Sequence, residues 1–194
     1  PYTIAFHPVT GRLLVNDVGQ VSWEEINDAT TGGKNFGWPT TEGMFNPATY
    51  PTFTNPIYVY GRGTTDGVGC ALTGGTFFSP SSSSYPSTYL GKYFIVDFCS
   101  KWINVIDVSV TPGARSSFAT TIAGSPVGIT TGVDGNLYFL SRDNNALYLV
   151  AFPIVTGIEP GQQDNVGIYP VPVKGEQFVI KFTAQYAQQV EILL

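Results

Sequence analysis

An all-β chain of repeated antiparallel sheets is the fold this sequence predicts, and three observations predict it. Short apolar runs, each introduced by a turn residue, recur along the chain. Candidate helices fail on Gly, Pro or β-branched content, so no stretch keeps a helical period. The 22 Gly and 14 Pro, with only 12% charged residues, suit many short strands joined by turns. The unit of turn glycine, apolar strand, turn and second strand repeats with uneven spacing. That pattern suggests propeller blades with loops of variable length, and the same strand density would suit a sandwich.

The elements follow in order. The chain opens at Pro1 in a strand-like run, Tyr2-Thr3-Ile4-Ala5-Phe6, as a window cut from a longer protein would. Thr10-Gly11 then turns into Leu13-Leu14-Val15-Asn16. Strands are expected at Leu72 to Phe78 and, after the Leu90-Gly91 turn, at Tyr93 to Phe98. Asp134-Gly135 leads into Leu137 to Leu140, and Asn144-Asn145 into Leu147 to Val150. Each turn carries a residue that tolerates positive φ. After Phe152 the composition shifts. Residues 153–165 are turn-rich without alternation and read as a linker, which leaves 1–152 as the main unit and 166–194 as a partial second β unit.

Composition also bounds function. With 43% hydrophobic and 14% aromatic residues the chain has material for a sizeable core. A net charge of −5 and the lack of a basic stripe argue against nucleic acid as the main partner. No apolar run reaches the ~18 residues of a membrane span. Low charge and abundant Ser and Thr favour an exported protein, in which Cys70 and Cys99 would pair; the other reading is two buried thiols.

Few residues carry chemistry on their own. His7 is the only histidine and sits at a turn, with no partners for a base or a metal site. Asp17, Glu24 and Glu25 are the densest acidic group, around the turn at Gly19. Carboxylates and carbonyls there read as a calcium-type oxygen site or, more plainly, as a solvated loop. Gly32 to Pro39 is a Gly-rich turn presenting Phe36 and Trp38, which suits stacking on a planar ligand or capping a blade.

In order and type these stretches resemble the soluble glucose/sorbosone dehydrogenase family. The matching runs are PVTGRLLVNDVGQVSWEEIN (Pro8 to Asn27), GGKNFGWPTTEG (Gly32 to Gly43), CALTGGTFF (Cys70 to Phe78), YLGKYFIVDFCSKWINVID (Tyr89 to Asp107) and GVDGNLYFLS (Gly132 to Ser141). The resemblance spans about Pro1 to Val150. It implies a six-bladed β-propeller with roughly three blades present, and a PQQ-dependent oxidation of a sugar at its anomeric carbon. It further implies a cofactor-holding calcium on the carbonyls of Gly19 and Gln20, a structural calcium at Glu25, and a cofactor pocket bordered by Phe36 and Trp38. The catalytic base would lie upstream of this chain. Active members place cations after the strand that ends here at Phe78 and within the strand of Ile103 to Ile106, to meet the carboxylates of PQQ. This chain has Ser79 and an arginine-free Ile103-Asn104-Val105-Ile106, with Lys101 nearby, and Gln20 replaces the commoner Pro.

The tail, TGIEPGQQDNVGIYPVPVKGEQFVIKFTAQYAQQVEILL, resembles the start of a type IX secretion C-terminal sorting domain, with Val171 where that pattern has Asn. It implies a β-sandwich-like unit, a partnership with that secretion machinery and a secreted or cell-surface location. The combined expectation is an exported sugar dehydrogenase of the propeller type. The alternative is a non-catalytic secreted propeller that binds carbohydrate or protein at the same face.

Overall fold

A computed structural model describes residues 1–152. The linker expected at 153–165 and the sorting unit at 166–194 lie outside the described residues. The described part is all β, as expected, apart from one 3₁₀ turn at Ser87–Tyr89. No helix among the described residues is long and apolar enough to cross a membrane.

Three antiparallel sheets follow one another along the chain. The first contains β1 (Thr3–Phe6), β2 (Leu13–Asp17), β3 (Trp23–Asp28) and β4 (Tyr58–Gly61), paired in that order. The second contains β5 (Leu72–Phe77), β6 (Tyr93–Asp97), β7 (Ile103–Asp107) and β8 (Ala114–Ala119). The third contains β9 (Pro126–Thr131), β10 (Leu137–Ser141) and β11 (Ala146–Val150). Each sheet is an up-and-down meander, and the first strands β1, β5 and β9 lie side by side. Such sheets set radially about their first strands are propeller blades. β5 and β9 meet so closely that a Cβ on Gly74 would lie 2.9 Å from the backbone of Gly128 and Ile129, so only glycine fits there.

The second sheet is covered on both faces, and its sequence shows why. Tyr93-Phe94-Ile95-Val96 is continuously apolar, as a strand buried on both faces requires. Period-two alternation sends Tyr93 and Ile95 toward the first sheet, where they join Leu14, Ile26, Tyr60 and Trp102. It sends Phe94 and Val96 toward the third, into a cluster with Phe78, Phe118, Leu137, Phe139 and Tyr148.

The turn residues singled out from sequence behave as expected: Gly11, Gly91, Gly135 and Asn145 all take positive φ. Three strands were not legible. Tyr58–Gly61 is short, Ala114–Ala119 is mostly polar, and Pro126–Thr131 opens on Pro and contains Gly, so each owes its form to its partners rather than to propensity. One reading is corrected. The acidic stretch near Glu24 is not a solvated loop but strand β3, with Glu24 and Glu25 both buried. Its polar residues form a strand because β2 and β4 pair with it on either side.

Candidate functional site

The polar chemistry gathers at one end of the first two blades, where the β2–β3, β4–β5 and β6–β7 connections meet. Alternation along β3 points Glu24 into the seam with the second blade and Glu25 to the opposite face. Glu24 is fully buried. Its Oε2 accepts the Leu72 N–H at 2.8 Å, and its Oε1 lies 3.3 Å from the Arg62 guanidinium. Burial raises the Glu24 pKa, and the Leu72 N–H and Arg62 only partly offset it. Arg62 also donates to the carbonyls of Gly19 and Cys70. One guanidinium thus ties the β2–β3 turn, the end of β4 and the entry to β5.

Asp97, at the end of β6, organises the neighbouring turn. It is fully buried and accepts five hydrogen bonds, from Tyr60 Oη, the N–H groups of Cys70 and Ala71, and those of Cys99 and Ser100, at 2.8 to 3.0 Å. The Cys70–Cys99 disulfide closes the same corner with Cα atoms 5.6 Å apart. Cys70 precedes β5 and Cys99 follows β6, so the bond staples two adjacent strands of one blade, as expected from sequence.

On the other face of β3, Glu25 accepts from the Gly43 N–H at 2.5 Å and the Asn27 amide at 3.2 Å. Burial raises its pKa, and the charges of Asp17 and Glu42 add to the shift. Asn27 is fully buried, and its Oδ1 has no hydrogen-bond partner among the described residues. Glu42 reaches back from the long β3–β4 connection to accept the Val21, Ser22 and Trp23 N–H groups. This folds the 19–23 turn tightly: a Cβ on Gly19 would lie 1.7 Å from the Trp23 carbonyl oxygen. The structure therefore separates the residues that sequence grouped as metal ligands. The Gly19 carbonyl faces Arg62, Gln20 is exposed with its N–H beside Glu42, and Glu25 lies across the sheet from Glu24.

Phe36 and Trp38 lie on the long connection, with Trp38 58% exposed and Phe36 half-buried. The connection carries its own small core, Phe45, Tyr50 and Phe53, and Asn35 O accepts the Thr54 N–H at 2.7 Å. His7 caps its turn, accepting from Val9 and Thr10. Sequence reasoning missed Arg62, Asp97 and Glu42. Arg62 and Glu42 act mostly on groups tens of residues away, so no local pattern marks them; the short step from Asp97 to Cys99 and Ser100, two and three residues on, was the one available signal.

A sequence model of the glucose/sorbosone dehydrogenase family matches residues 1–150. The chain belongs to the glucose/sorbosone dehydrogenase family. Among solved structures, a glucose dehydrogenase aligns at TM-score 0.57 and 20% identity, over 77% of this chain and 43% of the other. The apo form of the soluble aldose sugar dehydrogenase of Escherichia coli aligns at 0.56 and 22% identity, over 75% and 42%. The PQQ-bound aldose sugar dehydrogenase of Streptomyces coelicolor aligns at 0.54 and 14% identity, over 92% and 41%. At these identities the structures speak for the fold. This glucose/sorbosone dehydrogenase-family chain spans less than half the length of each.

Proposed function

We propose that the protein to which this chain belongs is an exported, PQQ-dependent dehydrogenase that oxidises an aldose at its anomeric carbon. The observation that carries the reading is the family match through the whole of 1–150, the part that forms the three blades. The exposed Trp38, on a connection braced by its own aromatic core, supports a stacking role for the Phe36–Trp38 loop. In such an enzyme the cofactor supplies the redox chemistry, and the protein supplies orientation and charge.

The fit of the described residues to these groups is uneven. At Glu25 a cation suits the site, because a buried carboxylate with no cationic partner among the described residues is bonded to the amide of Asn27, whose Oδ1 is also unpartnered there. Glu25 would hold a calcium there, and the calcium would offset the charge of Asp17 and Glu42. At the Gly19 carbonyl a cation does not suit, because the Arg62 guanidinium already faces it. For tri-anionic PQQ the described residues offer an aromatic surface but little free positive charge. Ser79 and the arginine-free β7 supply none, and Arg62 is committed to Glu24 and two carbonyls. That shortage favours a second reading, a secreted propeller that binds carbohydrate or protein at the same face without catalysis. Export rests on the sorting-domain pattern in the tail and on the disulfide.

The test uses the full-length protein with PQQ, calcium and a redox dye. Under the enzyme reading it reduces dye with at least one common aldose, and Trp38→Ala lowers the rate at least tenfold. Absence of both PQQ binding at micromolar concentration and dye reduction replaces the enzyme with the binding propeller. Fractionation of the native host culture checks export, which requires the protein outside the cell or on its surface.

A further inference from the structure

Three oxygens converge on Arg62 from three separate connections. The Gly19 carbonyl comes from the β2–β3 turn, the Cys70 carbonyl from the approach to β5, and Glu24 Oε1 from β3. Each is aimed by something other than Arg62. Glu42 gathers the N–H groups of the 19–23 turn, and that turn is too tight for any side chain at Gly19. Cys70 is fixed by its disulfide and by the bond from its N–H to Asp97. Glu24 is anchored through Oε2 to the Leu72 N–H, while its fully buried Oε1 makes no well-formed hydrogen bond among the described residues, having the Gly19 N–H nearby and Arg62 as its ion-pair partner. Two carbonyls and a carboxylate of this kind are the donor set of a hard-cation site. The guanidinium brings the positive charge but satisfies the carboxylate poorly.

We propose that this oxygen cage is a cation site whose resident cation is the Arg62 guanidinium, and that removing the Arg62 side chain exposes a calcium site made by Gly19 O, Cys70 O and Glu24. The family resemblance implies a calcium on the Gly19 carbonyl, and the structure departs from it at that atom. A calcium at the usual ~2.3–2.6 Å from this oxygen would sit against a guanidinium bound to the same oxygen, where like charges repel. The corner is therefore calcium-independent, and Arg62 holds the first blade to the second in place of a metal. This inference does not depend on sugar oxidation, and the cage is distinct from Glu25, which lies on the opposite face of β3.

The test counts calcium ions bound by the full-length protein in isothermal titration calorimetry, comparing wild type, Arg62→Ala, Arg62→Lys and Arg62→Ala/Glu24→Gln. Arg62→Ala is expected to bind one more calcium than wild type and to gain thermal stability from calcium that wild type does not gain. Arg62→Lys, which keeps the charge, and the double variant, which loses the carboxylate, should gain no site. Glu25→Gln as a background removes any calcium on the other face, so a failure there is read separately. Equal stoichiometry in Arg62→Ala and wild type overturns the proposal. So does a wild-type calcium that is lost on Glu24→Gln, a measurement that needs no change at Arg62 and stands even if Arg62→Ala does not fold.

Discussion

The two seams that flank the central blade differ in charge: hydroxyl-to-carbonyl bonds cross both faces of the second blade, but among the described residues buried ionic groups gather at the first seam alone. Between the second and third blades the contact is mainly apolar and aromatic: Phe78, Phe94 and Phe118 share one buried cluster with Leu137, Phe139 and Tyr148, and Tyr85 and Tyr89 both meet Phe152. Between the first and second blades an apolar floor gives way, at the mouth end, to buried charge: Glu24, Arg62 and Asp97 with their backbone partners. Even the floor carries polar links, since Tyr93 Oη bonds Asn16 from across the seam. Aromatic packing fixes a seam through area and shape, with no orientation that a single proton or ion can undo. A buried polar network holds only while every partner is in place, which makes it a weak glue and a sensitive one. The difference makes one seam depend on packed area and the other on each of its individual partners.

The largest effect is expected where the aromatic seam is broken. Phe94 is fully buried and central to its cluster. Phe94→Ala should cost ~4 kcal/mol in urea unfolding, by lost transfer energy plus the cavity left behind. A cost under ~1.5 kcal/mol would mean that the seam collapses around the gap and is not rigidly packed.

Close behind comes the staple of the polar corner. Cys70 and Cys99 close a loop of 29 residues. Replacing both with Ser should cost ~3.5 kcal/mol, chiefly through the freer unfolded chain. The same change should loosen the Cys70 carbonyl, so hydrogen exchange at Cys70 and Ala71 should rise more than exchange in β10. Uniform acceleration would show that the bond acts on global stability alone.

The third effect separates charge from packing. Asp97→Asn keeps the size but presents an amide where five donors converge. Two oxygens become one, so several N–H groups lose their acceptor, at a cost of ~2–3 kcal/mol. If Asp97→Asn is neutral, the polar corner is not the sensitive seam described above.

The contrast between the seams also explains what was legible in sequence. The aromatic seam was written locally: Tyr93-Phe94-Ile95-Val96 and Leu147 to Val150 announce buried strands by composition, and Gly135 and Asn145 announce their turns. The cysteine pair could be proposed because both flank strong strands. The polar seam was not legible, because its meaning lies in pairings of long sequence separation. Glu24 reads as a solvated charge until β5 supplies the Leu72 N–H, and Arg62 is one cation in a Gly-rich stretch until Gly19, Cys70 and Glu24 surround it. Family resemblance implies a calcium on the Gly19 carbonyl; in the structure that carbonyl accepts from Arg62, a residue no local pattern singled out.

The smallest effect sharpens the comparison through pH. At the rim of the aromatic seam, Asp107 pairs with Lys92 and accepts from the Ser109 N–H at 3.0 Å and the Ser109 hydroxyl at 2.5 Å. The Lys92 bond leads, Ser109 adds to it, and the Asp107 pKa falls from 3.8 to about 2. Here the carboxylate is stabilised in its charged form, whereas burial disfavours the charged form of Glu24. A carboxyl group whose folded pKa lies below its unfolded value binds more protons when unfolded. Its contribution is therefore complete above about pH 4 and fades as pH falls through about 2. Asp107→Asn should lower the urea midpoint slightly at pH 7, and the gap from wild type should close between about pH 4 and pH 2. Because the pair is partly exposed, added salt should narrow the gap at pH 7 as well. A gap that persists unchanged at pH 2 would mean that Asp107 acts through the Ser109 turn rather than through its charge. The rim of the aromatic seam would then be as geometry-bound as its interior.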